Sequence, residues 1–156
     1  MKISILLPYK ENFSPTYPGA VSLFINETTQ ISKYKKNIKV YGSTEYKNKF
    51  KPNYVNIDLS KRGIGSQTRE YIKKFIIFEK KNPSDLIEIH NRPNYLKYLD
   101  EKLNVRNFIL FFHNDPLSMD GSKTTEEREY LLRKCHRIIF NSNWSKNRFL
   151  EGMENN

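Results

Sequence analysis

Along this chain, short apolar runs alternate with stretches whose apolar residues recur at helical spacing. Ile3-Ser4-Ile5-Leu6-Leu7 reads as a buried strand halted at Pro8. After the loop Tyr9 to Pro18, the residues Val21, Phe24, Ile25 and Ile31 mark a helix. Ile38 to Tyr41 and Tyr54 to Ile57 read as short strands separated by the polar stretch Gly42 to Pro52. Tyr71, Ile72, Phe75 and Ile76 place a helix that ends near Asn82-Pro83. Leu86 to His90 is the next strand, and Pro93 opens a helix carrying Leu96, Leu99 and Leu103. Phe108 to Phe112 has the composition of a fully buried strand. A polar loop from Asn114 to Thr124 leads to a helix with Leu131, Leu132 and Cys135, capped by Thr124 or Thr125. Arg137 to Phe140 is the last strand, and Asn143 to Glu151 the last helix.

Strands alternating with helices predict an α/β fold with a doubly wound, mostly parallel, Rossmann-like sheet in three α/β/α layers. One domain is expected over residues 1–151, with 152–156 as a frayed tail. In such a sheet, ligands bind outside the carboxyl ends of the strands. Four strands deliver polar residues there. The first leads to Pro18-Gly19 at a helix start, another ends His90-Asn91-Arg92, the central one His113-Asn114-Asp115, and the last Asn141-Ser142.

Each of these residues has two readings. Gly19 at a helix start suits close approach of an anion to unpaired first-turn amides, or serves only as a turn. Arg92 can fork onto a phosphate or carboxylate, or pair with Glu88 or Asp115. A single histidine after a strand is commonly structural. Two at equivalent positions, each followed by Asn, point to a shared ligand cleft.

Composition narrows the alternatives. At 156 residues with 37% apolar content, the chain can bury one core. Cys135 is the sole cysteine, so no internal disulfide can form, and a cytoplasmic protein is the expectation. The net charge of +10 is concentrated, because Lys33 to Lys81 holds 14 Lys or Arg against 4 Asp or Glu. That excess makes a basic face for phosphate groups or anionic lipid, or reflects compositional bias toward Lys, Asn, Ile and Tyr. The sequence lacks a G-x-G-x-x-G or Walker A loop, a G-x-S-x-G elbow, paired Cys or His at zinc spacing, and any nucleic-acid-binding signature. No cofactor, metal or nucleic-acid partner is therefore expected. Cys135, placed on the apolar stripe of its helix, is not expected to be catalytic.

Taken together, four segments resemble glycosyltransferase family 4, whose members have a GT-B fold of two Rossmann-like domains. They are Pro18-Gly19-Ala20, Asp85 to Pro93, Phe111 to Gly121, and Ile138 to Ser142 before a helix. The likeness runs from Lys2 to about Glu151 and is to the branch that builds lipopolysaccharide and other surface sugars. It implies the amino-terminal, acceptor-binding half of a retaining enzyme needing no bound metal. By the resemblance, His113 contacts the transferred sugar and is the candidate catalytic residue. Pro18 and Gly19 approach the donor diphosphate, and His90, Asn91 and Arg92 line the acceptor side. Asn114, Asp115, Asn141 and Ser142 complete the candidate substrate-binding set.

The implied partners are a nucleotide-sugar donor, a glycan or lipid-linked acceptor, and an anionic membrane surface on the inner face of the plasma membrane. The family's donor-binding half, with its paired-glutamate motif, has no counterpart in these 156 residues, so the chain alone is expected to be inactive. Its first loop also reads Pro-Gly-Ala where many relatives carry two glycines. A non-catalytic sugar-binding or partner-docking module is the alternative.

Overall fold

A computed structural model describes residues 1–51, 53–59, 66–104 and 107–153. Six strands are β1 (Ile3–Leu6), β2 (Ile38–Gly42), β3 (Tyr54–Asn56), β4 (Leu86–His90), β5 (Phe108–Phe112) and β6 (Cys135–Phe140). Five helices are α1 (Ala20–Ile31), α2 (Gln67–Lys81), α3 (Tyr95–Lys102), α4 (Thr125–Lys134) and α5 (Asn143–Leu150). The strands form one sheet in the order β3-β2-β1-β4-β5-β6, and every pairing is parallel. The sheet is thus wholly rather than mostly parallel, and the Rossmann-like α/β fold read from the sequence is present. The chain winds outward from β1 to β3 and then returns to β4. The strand order therefore reverses between β1 and β4, where open parallel sheets form a ligand crevice.

The two faces of the sheet are covered unequally. On one, α2, α3, α4 and α5 pack over Leu6, Ile87, Ile89, Phe108, Leu110 and Phe112. On the other, α1 sets Val21 and Ile25 against Ile3, Ile5, Ile38 and Val40. That layer stops short of the far edge. Ile109 and Phe111 of β5 are only half-buried there, and Ile139 of β6 is exposed. The strand patterns agree: β1 is buried at every position, whereas no position of β6, on the open edge, is fully buried.

Local chemistry sets several boundaries. Thr124, not Thr125, caps α4, its hydroxyl accepting from Glu127 N–H while Glu127 reaches back to the Thr124 N–H, a complete capping box. Tyr71 on α2 donates its buried hydroxyl to the carbonyls of Leu7 and Tyr41, fastening α2 to the carboxyl ends of β1 and β2. Gly121 has φ +92°, and a Cβ there would lie 2.6 Å from Asn94 N, so the β5–α4 loop can close on α3 only with glycine.

Three local expectations are corrected. Cys135 begins β6 rather than lying on the α4 stripe, and Leu132 beside it is half exposed. The sequence pattern missed this because α4 passes into β6 at Lys134–Cys135 with no intervening turn or Gly, Pro or Asn to mark the boundary. Burial pushes the Cys135 thiol up to about 12, which keeps it protonated and unreactive. Ile31 and Phe24, counted on the buried side of α1, are exposed: Ile31 is the last residue of the helix, and Phe24 stands over Phe111 where the α1 layer runs out. Of the tail expected over 152–156, Met153 packs against the core, while residues 154–156 lie outside the described residues, as does Pro52 of the polar stretch.

Candidate functional site

The carboxyl ends of β1, β4, β5 and β6 meet at one edge, and the register explains how. His90 pairs with Phe111, and Phe112 with Phe140, so the residues just beyond these strands project together. His90 is fully buried, its ring stacked on Phe111 with centroids 4.5 Å apart and planes 10° apart. Its Nδ1 lies 3.0 Å from Nε2 of His113. Phe24 of α1 meets the His113 ring edge-on at 5.1 Å. The two histidines singled out from the sequence therefore form one hydrogen-bonded pair under an aromatic cover.

Asn91 ties the pair to the backbone. It sits at φ +51°, a left-handed conformation tolerated by Asn, and its Oδ1 accepts from the His113 N–H at 2.7 Å. Asn141, beyond β6, donates from Nδ2 to the His113 carbonyl at 2.8 Å. The main chain of His113 is thus held from both neighbouring strands, while its ring is half-buried.

Burial also governs protonation. Desolvation lowers the His90 pKa, opposed in part by Glu88, whose Oε2 lies 3.7 Å from His90 Nε2, and by the charge of Glu11. Desolvation and the neighbouring His90 take His113 down to about 4. Both rings are neutral at neutral pH, able to accept or donate a hydrogen bond without carrying charge.

Beside the pair lies a polar cleft lined by Thr68, Asn91, Arg92, Asn94, Asn114 and Lys123. Arg92 Nη1 donates to the Asn91 carbonyl. It pairs with neither acid suggested for it, because Glu88 faces His90 and Asp115 lies 3.3 Å from Arg148 Nη2. Asn94 Oδ1 is buried without a partner, an acceptor left for whatever enters. Thr68 and Asn94 were not anticipated from the sequence, since nothing in their local pattern distinguishes them from ordinary turn and helix residues.

Other candidates are engaged in holding the fold. Asp115 accepts from Leu117 N–H as the cap of the 3-10 turn Pro116–Ser118. Ser142 caps α5, accepting from Ser145 N–H at 3.1 Å. The α1 amino terminus, following half-buried Pro18 and Gly19, is filled by Glu11. Its Oε1 accepts from Ser22 N–H at 3.0 Å and lies 1.9 Å from where a Gly19 Cβ would stand. Glycine is thus needed there for the close approach of an anion, and in this structure the anion is the protein's own carboxylate. Glu11 escaped the sequence reading because it contacts Ser22 across an irregular loop. Among the described residues, no group of three or more His, Cys, Asp or Glu is placed to hold a metal ion.

Compared with known protein families and with curated proteins, the chain matches none. The fold and the site geometry are therefore the grounds for a functional reading.

Proposed function

We propose that this chain is the acceptor-side domain of a retaining glycosyltransferase of the GT-B type, acting on a glycan or lipid-linked acceptor in surface-polysaccharide or lipopolysaccharide synthesis. The observation that carries the reading is the hydrogen-bonded pair of buried His90 and half-buried His113 at the carboxyl edge of an all-parallel sheet, next to the strand-order reversal. In this role His113 hydrogen-bonds the sugar being transferred, and the cleft of Asn91, Arg92, Asn94 and Asn114 receives the acceptor. A neutral imidazole suits a hydroxyl-rich partner, and a contact that tightens as the sugar distorts lowers the barrier rather than the ground state. The nucleotide portion of the donor binds chiefly on a second domain.

The basic segment fits a peripheral position at an anionic membrane. Lys73, Lys74, Lys80 and Lys81 fall within about a third of the α2 circumference, opposite the buried Tyr71, Ile72, Phe75 and Ile76. Ile77 is exposed on the same side. Each such lysine near an anionic leaflet contributes about 1 kcal/mol, screened within roughly 8 Å at physiological salt. Among the described residues, no helix is long and apolar enough to cross a membrane. Co-sedimentation with anionic vesicles should fall as salt rises, and should weaken when the four lysines become Gln. Equal binding to neutral vesicles would remove the membrane from the reading.

The deciding experiment is sugar transfer by the complete gene product from uridine- and guanosine-diphosphate sugars to extracted lipid-linked acceptors. His113→Ala should lower turnover roughly a hundredfold, as loss of a contact specific to the transition state does. Unchanged turnover would reject the role. A second reading, a non-catalytic sugar-binding or partner-docking module, draws on one observation: Glu11 already fills the α1 amino terminus where a donor diphosphate would approach. Absence of any transfer, with sugar binding retained by the isolated chain, would favour it.

A further inference from the structure

His90 Nε2 is buried and makes no hydrogen bond within normal reach, yet Glu88 Oε2 stands 3.7 Å away. A ring nitrogen facing a carboxylate in a desolvated site carries its proton toward that carboxylate, because a lone pair there would be repelled. With the single proton of neutral His90 on Nε2, its Nδ1 is left as a lone pair. That lone pair lies 3.0 Å from His113 Nε2, so the proton between the two rings must belong to His113.

We infer that Glu88, acting through His90, locks His113 in the Nε2–H tautomer, so that its Nδ1 is an acceptor reserved for a neutral hydroxyl group of a sugar. No described residue engages Nδ1, and it is the remaining polar atom of a half-buried ring. A phosphate or carboxylate oxygen set against this atom would meet lone pair with lone pair. A hydroxyl donates to it directly. Glu88 and His90 are positioning residues, since they act on the ligand only through His113. The ligand class rests on the proposed function, whereas the tautomer does not.

The charged and titratable groups facing His90 are Glu88 on its own strand, Glu11 from the loop after β1, and His113 beyond β5. The other groups against the two rings are Phe24 and Phe111, which do not titrate. Glu88 is the acid within reach of Nε2, and it favours the single proton of neutral His90 on that nitrogen, which leaves Nδ1 to accept from His113.

Long-range proton–nitrogen correlation spectra of the uniformly labelled chain at neutral pH read the tautomers directly. His113 should show a protonated Nε2 and an unprotonated Nδ1, and His90 the same. The His113 signals should hold constant on acidification until they titrate near pH 4. A protonated Nδ1 on His113 would overturn the inference. Glu88→Met keeps the approximate shape and removes the carboxylate. It should convert the single tautomer of both rings into a mixture while the backbone amide spectrum away from β4 is unchanged. A folded Glu88→Met protein that keeps one tautomer would remove Glu88 from the chain of contacts, and if that variant fails to fold the unmodified protein still decides the tautomer. Loss of the transfer reaction would sink the proposed function and leave these spectra unmoved, so the two failures are distinguishable.

Discussion

Two buried titratable groups at the two ends of the same sheet are treated in opposite ways. At the amino edge, Glu79 of α2 is almost fully buried, and both its oxygens are occupied. Oε1 accepts from Ser4 Oγ, and Oε2 accepts from Ser84 N–H and Ser84 Oγ at 3.1 and 2.8 Å. At the carboxyl edge, His90 Nε2 and Asn94 Oδ1 are buried without hydrogen bonds, and Asn91 holds a left-handed backbone. A saturated polar group fixes a fold. An unsaturated one is a cost that persists where something else meets it, and such groups gather at ligand sites. Glu79 thus reads as structure and the His90–Asn94 group as site. Among the described residues, the other unsatisfied hydroxyl toward the amino edge, Thr29 Oγ1, stands alone.

The largest difference is expected from truncating one member at each edge. Glu79→Ala leaves three donors unanswered in a cavity and should cost about 2–4 kcal/mol, read as a lower denaturation midpoint. His113→Ala, at a half-buried ring, should cost about 1 kcal/mol or less. Equal losses at both positions would erase the distinction between the edges.

A smaller loss sharpens how the site is held. Tyr71→Phe removes the hydroxyl shared by the Leu7 and Tyr41 carbonyls, and should cost about 1–2 kcal/mol in chemical denaturation. Because those carbonyls end β1 and β2, the His90–His113 spectra should be little affected, β4 and β5 being held separately by Asn91.

Acidification should separate the edges without mutation. His113 has its pKa lowered from 6.5 to about 4 in the folded chain, so between those values the unfolded state binds more protons. Its contribution is complete above about pH 6.5 and declines as pH falls toward 4, with His90 acting in the same direction. Replacing both histidines by Gln should flatten the stability profile in that window, measured by denaturant titration at stepped pH. An unchanged slope would mean that the rings titrate normally.

The smallest effect is expected at α1. Glu11→Gln keeps an acceptor for Ser22 N–H but removes the charge at the helix terminus, costing about 0.3–1 kcal/mol in thermal or chemical unfolding. A loss well beyond that would show that the Glu11 charge does more than complement the helix dipole.

Much of this protein follows from local pattern. The runs Ile3 to Leu7, Leu86 to His90 and Phe108 to Phe112 became β1, β4 and β5 because largely apolar stretches bounded by turns suit a parallel sheet covered on both faces. Ile109 and Phe111 of β5 nevertheless proved only half-buried rather than fully so. Parallel strands point their carboxyl ends one way, which made the meeting of His90, Asn91 and His113 legible before any coordinates. Which polar residues would be consumed by the fold was not legible. Asp115 and Ser142 carry the same chemistry as their neighbours, and only the closure of a turn and the start of α5 assigned them as caps. Glu11 at the α1 terminus, Glu88 facing His90 and Phe24 over His113 depend on distances across separate segments, which periodicity does not encode. The one-dimensional pattern determined which strands exist and which ends they share. Tertiary packing decided which of the gathered polar groups are satisfied and which remain open, because satisfaction depends on angstrom-scale geometry between residues distant in the chain.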